Sequence, residues 1–116
     1  MSNSTTDDNY AIRGHTKSGG LYYLDAEGRY HHPKKPAVCF VRGGVSFYWH
    51  GELHRVGKPA VIRGPRSRYR AYYEHGQLHR LDGPALIHRD GTQEWWVRGK
   101  RLPDNPAPLQ IIMALL

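Results

Sequence analysis

The amino-acid sequence predicts an all-β domain, an antiparallel meander of consecutive β-hairpin repeats that ends in a short C-terminal α-helix. A glycine-led segment recurs at intervals of 23, 25 and 23 residues, starting at Gly28, Gly51, Gly76 and Gly99. Aromatic residues precede the copies, and the arms of each copy are rich in β-branched and aromatic residues, which favour strands. The last residues of the chain instead carry apolar side chains at helical spacing.

The first ten residues are polar, and we expect them to form a disordered tail. Residues 11–103 are predicted to form the hairpin domain, with repeats near 28–50, 51–75 and 76–98. Turn residues separate the predicted strands at 42–44, 63–66 and 89–92, and the last of these contains an Asp-Gly pair suited to positive φ. We expect the single cysteine, Cys39, to be a small core residue, since apolar residues surround it.

Two copies of the repeat share a glycine, a Leu-His-Arg step and a Pro-Ala step. The recurring residues are Gly51, His54, Arg55 and Pro59 in one copy and Gly76, His79, Arg80, Gly83 and Pro84 in the next. A scaffold requirement recurs with the scaffold, so we interpret these residues as structural. The histidines are expected to hydrogen-bond neighbouring backbone, and the arginines to lie across aromatic rings of the adjacent unit. Replacing Gly83 or Pro84 should lower stability, by about a kcal/mol or more if the turn needs positive φ.

Residues 104–116 are predicted to form a capping helix. Asp104-Asn105 offers an N-cap and Pro106 the first helical position, and four apolar residues follow at helical spacing: Leu109, Ile112, Met113 and Leu116. This helix could cover the last hairpin, or its apolar face could be the contact of a homodimer. The monomer and the homodimer both remain open.

The chain has 116 residues and a net charge of +7, which suits one small domain with an anionic partner. The longest apolar run, at residues 111–116, is far shorter than the roughly 20 residues of a membrane span. The first residues have neither the apolar run of a signal peptide nor a basic amphipathic pattern. We therefore expect a cytoplasmic protein with no membrane partner, in the host cytoplasm if a phage encodes it.

The most complete copy runs from Gly76 to Trp96 and contains Leu78-His79-Arg80, Asp82-Gly83-Pro84-Ala85 and Asp90-Gly91-Thr92. This unit resembles a MORN-like family of short tandem repeats found in bacteriophage and giant-virus proteins. The resemblance covers about Gly28 to Pro103, and the copy at Gly51 departs from it with Gly57-Lys58 in place of Asp-Gly. It implies a β-hairpin scaffold and, by analogy, a small phage-type accessory protein that inhibits a host protein such as a component of a bacterial defence system.

We predict a non-enzymatic protein-binding module whose partner is a host protein or a complex, including a nucleoprotein complex. Tyrosine, tryptophan and arginine are enriched at binding hot spots, and the loop at 63–70 is two residues longer than its counterparts. The predicted partner-binding residues are Arg63, Arg66, Arg68, Tyr69, Arg70, Arg98, Lys100 and Arg101. Charge reversal at Arg66, Arg68 and Arg70 should weaken binding without unfolding the domain.

Two other functions remain open. The basic loop Arg63–Arg70 could supply phosphate contacts for nucleic acid, with Tyr69 as a stacking ring. The pairs His50/His54 and His75/His79 have a spacing that can bind a metal, with His88, Asp82 or Asp90 completing a site. We expect no cofactor, no metal and no catalytic residue, because the chain has no nucleophile or phosphate-loop motif.

Overall fold

The computed structural model describes residues 12–116. The predicted disordered tail, at residues 1–10, lies outside the described residues. The elements in chain order are β1 (Ile12–His15), β2 (Leu21–Leu24), β3 (Val38–Cys39), β4 (Val45–Ser46), β5 (Tyr48–Trp49), β6 (Glu52–Leu53), β7 (Val61–Ile62), β8 (Arg70–Ala71), β9 (Tyr73–Glu74), β10 (Gln77–Leu78), β11 (Leu86–Ile87), β12 (Gln93–Val97), β13 (Lys100–Leu102) and α1 (Pro108–Leu115).

The strands form an antiparallel meander, which confirms the predicted fold class. Nine strands make one sheet in the order β1-β2-β3-β4-β7-β8-β11-β12-β13. The pairs β5–β6 and β9–β10 form separate two-stranded sheets. These small pairs are the outer parts of long hairpins that bend at Phe47 and Tyr72, where the ladder is interrupted.

A two-residue turn closes each of three hairpins, and both of its residues have positive φ. The values are 45° and 87° at His50-Gly51, 48° and 78° at His75-Gly76, and 49° and 77° at Arg98-Gly99. This is the type I′ geometry, whose twist matches the twist of the paired strands. The glycine of each repeat is therefore required by the second position of its turn.

The turns also join each unit to the unit before it. The N–H of Gly51 donates to the Tyr30 carbonyl over 2.7 Å, and the N–H of Gly76 donates to the Leu53 carbonyl over 2.8 Å. The N–H of Gly99 donates in the same way to the Leu78 carbonyl over 2.9 Å. Successive units are thus connected by backbone hydrogen bonds at this side of the molecule as well as through the main sheet.

Alanines form the centre of the core. Ala37, Ala60, Ala71 and Ala85 each expose 0% of their surface. Three of them belong to Pro-Ala steps, and their carbonyls accept the N–H of Tyr23, Phe47 and Tyr72 over 2.7–2.8 Å. The close approach of these backbones explains the small side chain at the step. Val61 is buried together with Ala60, so β7 is covered on both of its faces.

Most aromatic rings are half-buried rather than enclosed. Among residues 12–116, Tyr23 is the one aromatic residue classed as buried, whereas Tyr30, Phe40 and Trp49 expose 41–50% of their surfaces. Cys39 is only partly buried, and that burial raises the pKa of its thiol. The sheet is too thin to enclose large side chains, and Val97 is the largest side chain that is fully buried in the described part of the chain.

The C-terminal helix exists, but its predicted start is wrong. α1 begins at Pro108, and Ala107 precedes it with an extended backbone, φ −66° and ψ 152°. A residue before proline is driven out of the helical region, so Pro108 excludes Ala107 from the helix. Asn105 has a φ of 51°, which also excludes it from a regular first turn. The Gln110 side-chain oxygen instead accepts the N–H of Ala107 over 2.8 Å.

α1 contacts β12 and β13, the last hairpin of the sheet. The residues half-buried by this contact are Ile111, Ala114 and Leu115, and the apolar residues singled out in the sequence are on the opposite side. Leu109, Ile112, Met113 and Leu116 expose 54–92% of their surfaces. Within the described residues, no helix is both long and apolar enough to cross a membrane.

Candidate functional site

Four turns line one edge of the main sheet, at residues 16–20, 40–44, 63–69 and 88–92. A Cβ built on Gly19 would lie 3.7 Å from Val41 Cγ2, and one built on Gly43 would lie 3.0 Å from Pro65 Cδ. A Cβ built on Gly91 would lie 3.0 Å from an Arg68 nitrogen. Each turn therefore touches the next one. We call this row of turns the basic edge, since it carries Lys17, Arg42, Arg63, Arg66, Arg68 and Arg89 against a single acidic residue, Asp90.

The three later turns enclose an open cleft of about 540 Å³. Its lining residues are Arg42, Arg63, Gly64, Pro65, Arg66, Ser67, Arg68 and Arg89. We call it the arginine cleft. No acidic residue is in the lining, so five positive charges from three different turns surround one space.

The arginines of the cleft lack acidic partners. Within residues 12–116, none of the five forms an ion pair, and none of their guanidinium groups donates a side-chain hydrogen bond to the protein. The guanidinium of Arg63 lies over the Tyr69 ring, 5.3 Å from its centroid. The cleft therefore presents donors that solvent or a ligand must satisfy.

The long loop of the cleft is held by its own hydrogen bonds. The guanidinium of Arg70 donates to the carbonyls of Ser67 and Tyr69, each over 2.8 Å. The Ser67 hydroxyl accepts the N–H of Tyr69 over 3.1 Å. Arg70 is half-buried and holds this loop, and it is not among the residues that line the cleft, so its role in partner contact stays a prediction.

The three other predicted contact residues lie elsewhere. Arg98, Lys100 and Arg101 belong to the hairpin at the far end of β12 from the turn at 88–92. Arg98 donates to the Leu115 carbonyl over 2.9 Å, and Arg101 lies 3.8 Å from a Glu94 carboxylate oxygen. The structure does not bring them together with the arginine cleft.

The histidines of the repeat connect consecutive turns on the side of the sheet opposite to the basic edge. The Nδ1 of His31, His54 and His79 accepts the N–H of His50, His75 and Arg98 over 2.9–3.0 Å. Each acceptor is therefore the partner of the first positive-φ residue of the next turn. These are the hydrogen bonds to neighbouring backbone expected for His54 and His79.

The arginines of the repeat also make the contacts expected for them. Arg55 lies over the Phe47 ring at 3.9 Å and Arg80 over the Tyr72 ring at 4.1 Å. Each guanidinium donates to the carbonyl of the following Pro-Ala proline, over 3.2 Å for Arg55 and 3.1 Å for Arg80. The same device thus recurs in two consecutive units.

The histidine side chains pair between consecutive turns instead of within the sequence pairs considered for a metal. The rings of His31 and His50 stack at 3.8 Å, and those of His54 and His75 lie 4.3 Å apart. Among residues 12–116, no group of three or more His, Cys, Asp or Glu side chains is arranged to hold a metal ion. The histidines instead contribute ring stacking and hydrogen bonds to the contacts between consecutive turns.

The opposite ends of the hairpins carry acidic residues. Asp25 is buried and accepts hydrogen bonds from Arg29 over 2.8 Å and from the His50 ring over 2.7 Å. Burial alone would raise the pKa of Asp25, but these hydrogen bonds outweigh it and hold the pKa well below its ordinary value. Glu52 lies at the next turn, 3.7 Å from His75. The side opposite to the basic edge therefore carries acidic and basic side chains together, whereas the basic edge has Asp90 as its single acidic residue.

Sequence reasoning missed Arg42 and Arg89 as members of the cleft. Both lie within two residues of a turn glycine, as Arg63 does, at Arg42-Gly43, Arg63-Gly64 and Arg89-Asp90-Gly91. Because consecutive antiparallel hairpins bring alternate turns to the same edge, this recurrence was the signal that could have found them.

Comparisons with known proteins identify no relative: no family model matches the chain, and no match was found among curated proteins or solved structures.

Proposed function

We propose that this protein is a non-enzymatic binding module, and that its partner is a host protein or nucleoprotein complex which it contacts through the arginine cleft. The observation that carries the proposal is the cleft itself, in which five arginines from three turns have no acidic partner within residues 12–116. Arginine without a partner is favourable in a contact surface, because it can donate bidentate hydrogen bonds to an acidic group.

The scaffold supports this role. Loops on a rigid sheet commonly carry binding residues, and the loop at 63–69 is ordered by Arg70 before any partner arrives. A preorganised loop loses less conformational entropy on binding than a mobile one. Inhibition of a bacterial defence component in the host cytoplasm is the role we propose from the repeat's resemblance to phage proteins.

The test is affinity capture from a bacterial lysate with tagged protein, in nuclease-treated and untreated portions. We expect the wild-type chain to retain one stoichiometric partner, and the Arg66→Glu/Arg68→Glu variant to lose it while melting at or above the wild-type temperature. The matched control is Arg13→Glu/Lys58→Glu, which changes the net charge equally at exposed positions outside the cleft. Equal loss from both double variants would contradict a role for the arginine cleft.

A further inference from the structure

We infer that the arginine cleft binds the phosphodiester backbone of nucleic acid and does not read its base sequence. This inference rests on the proposed function, since it names the chemistry that the same contact surface recognises. Its basis is the juxtaposition of Arg42, Arg63, Arg66, Arg68 and Arg89 around one open cleft with no acidic lining residue.

The distribution of charge distinguishes a nucleic-acid backbone from a typical protein surface. Protein surfaces mix both signs of charge, and a complementary patch would be expected to include acidic residues that meet the partner's lysines and arginines. The basic edge has six cationic residues and one acidic residue. Such a one-signed row is complementary to a phosphate backbone, which is a continuous line of negative charge.

The geometry of the edge extends this match along a line. Neighbouring strands are about 4.8 Å apart, so successive turns of the meander, two strands apart, are separated by about 10 Å. Four turns therefore place their cations along roughly 30 Å of edge. A strand of nucleic acid can follow this row and meet a cation at every turn.

The exposed position of the cations suits a backbone contact. Arg42, Arg63, Arg66, Arg68 and Arg89 are all exposed. Side chains in this state can exchange hydration and small counterions for phosphate without the desolvation cost of a buried charge.

The nearest aromatic ring, that of Tyr69, lies next to the cleft and does not line it. One face of the Tyr69 ring is covered by Arg63, and the ring packs edge-on against His88 at 6.4 Å. Stacking on an aromatic ring is the sequence-tolerant means by which proteins hold unpaired bases. Tyr69 therefore orients Arg63 and leaves phosphate contact as the main interaction, so sequence preference should be weak.

The opposite ends of the hairpins carry charges of both signs. Asp25, Glu27 and Glu52 lie at or beside those turns, but so do Arg29, Arg98, Lys100 and Arg101. The basic edge is therefore the more uniformly cationic of the two sides, and a polyanion is expected to prefer it.

The experiment measures fluorescence anisotropy of labelled oligonucleotides with the full chain. The probes are two unrelated single-stranded DNAs of about 20 nucleotides and the duplex of one of them, at about 20 to 200 mM NaCl. For single strands the logarithm of the affinity falls with the logarithm of salt by about 0.7 per contacted phosphate, so contacts from five arginines predict a slope near −3.5. We expect the two single strands to bind within about threefold of each other, and the duplex arm identifies which form binds more tightly.

The variants make the site assignment falsifiable. Arg66→Glu/Arg68→Glu should lose at least about tenfold in affinity and show a shallower salt slope, because about two phosphate contacts are removed. Arg13→Glu/Lys58→Glu has the same net charge as that variant and should stay within about threefold of the wild-type protein. An equal loss in both would attribute the binding to net charge and overturn the inference.

A competitor separates phosphate from carboxylate. Polyglutamate at equal total charge should displace the oligonucleotide poorly, and displacement as effective as that by unlabelled DNA would favour an acidic protein surface and overturn the inference. No binding at about 20 mM NaCl would overturn it as well.

The proposed function and this inference can fail separately. If lysate capture depended on the arginine cleft in the absence of oligonucleotide binding, the proposed function would stand and the inference would fall. Conversely, oligonucleotide binding with no captured partner would support the nucleic-acid site and contradict the host protein partner.

Discussion

Arg80 contributes to stability through three contacts made by one guanidinium. It stacks on Tyr72, donates to the Pro84 carbonyl over 3.1 Å, and lies 3.0 Å from the Asp82 carboxylate. These contacts hold the segment between β10 and β11 against the Tyr72 ring. The ion pair with exposed Asp82 is expected to add little, and the stack and the carbonyl bond to add most.

Replacing Arg80 with methionine keeps most of its aliphatic length and removes the charge. We expect the Arg80→Met variant to lose about 1–2 kcal/mol of unfolding free energy, because the Pro84 carbonyl loses its donor and the ring stack is lost. The measurement is urea denaturation followed by tryptophan fluorescence. Arg89→Met is the control, since Arg89 is exposed and forms no ion pair or side-chain hydrogen bond within residues 12–116, and it should change stability by less than about 0.5 kcal/mol. Equal effects would show that the Arg80 contacts are not stabilising.

Gly76 and Gly83 are both repeat glycines, but only the former has positive φ, at 78°. A left-handed alanine costs about 1–2 kcal/mol, so Gly76→Ala should lower the unfolding free energy by about that amount.

At Gly83 a Cβ would lie 2.8 Å from the Arg80 Cζ, and the flexible guanidinium can shift. Lys58 occupies the equivalent position in the preceding unit, beside an arginine with the same carbonyl bond. We therefore expect Gly83→Ala to be less damaging, for a reason other than the turn φ considered from the sequence. A larger loss for Gly83→Ala in the same denaturation assay would contradict this argument.

At the scale of the element, the hydrogen bonds that connect consecutive turns require His31 and His54 to be neutral, because a neutral Nδ1 accepts the N–H of the next turn. Burial and the neighbouring His75 ring lower the pKa of His54, and burial and the neighbouring His50 ring lower that of His31, whereas Glu52 and Glu74 oppose the shift at His54. A group whose pKa is lowered on folding binds protons more readily in the unfolded state. Its stabilisation is present above the unfolded pKa of about 6.5 and is lost as the pH falls below it.

We expect the melting temperature to fall between pH 7.5 and pH 5, where protonation of Nδ1 removes the acceptor for the His75 N–H. The His54→Asn variant should fall less over this range, because an asparagine oxygen can accept the same N–H and does not titrate there. Thermal denaturation by circular dichroism at both pH values measures the difference. An unchanged pH dependence in His54→Asn would refute the role of this hydrogen bond.

The helix provides a matched pair of adjacent isoleucines. Ile111 is half-buried on the side of α1 that covers the last hairpin, whereas Ile112 is 54% exposed. Ile111→Ala should cost about 1–2 kcal/mol of unfolding free energy and Ile112→Ala less than about 0.5 kcal/mol. Equal losses in chemical denaturation would contradict the packing of α1 on the hairpin.

The same helix tests the homodimer hypothesis. If the exposed face of α1 forms a dimer contact, sedimentation should show a dimer for the wild-type chain and a monomer for Ile112→Ala.

Local features were predictable from the sequence because local chemistry determines them. The repeat glycines, the turn segments and the presence of a C-terminal helix follow from φ preferences and apolar spacing. The helix start was wrong because Pro106 and Pro108 are both plausible first positions, and the extended Ala107 decides between them. The arginine cleft could not be predicted, because it depends on the register of strands from different units. The hydrogen bonds from Arg70 to its own loop and the stacking of His31 on His50 likewise leave no pattern in the spacing of residues.

At the scale of the whole molecule, the protein is extended and thin, about 52 × 32 × 20 Å. Its Cα radius of gyration is 16.0 Å, compared with about 13 Å for a compact domain of this length. A single sheet with alanines at its centre buries little apolar surface per unit, so each unit depends on its neighbours for stability. The free energy of unfolding is therefore expected to be small, and repulsion between the cations of the basic edge lowers it further.

We therefore expect the arginine cleft to lower the stability of the protein when no partner is bound. Arg66 and Arg68 lie in one loop facing Arg42, Arg63 and Arg89, with no acidic residue in the cleft to offset them. Arg66→Glu/Arg68→Glu replaces that repulsion with attraction and should raise the melting temperature at about 20 mM NaCl, and the gain should shrink near 500 mM NaCl as screening removes the interaction. Arg13→Glu/Lys58→Glu should give a smaller gain, because both residues lie outside the cleft. Thermal denaturation of the three proteins at both salt concentrations tests this expectation. A variant that melted below the wild-type protein at low salt would show that the arginines of the cleft stabilise the fold, and would make its loss of binding attributable to unfolding.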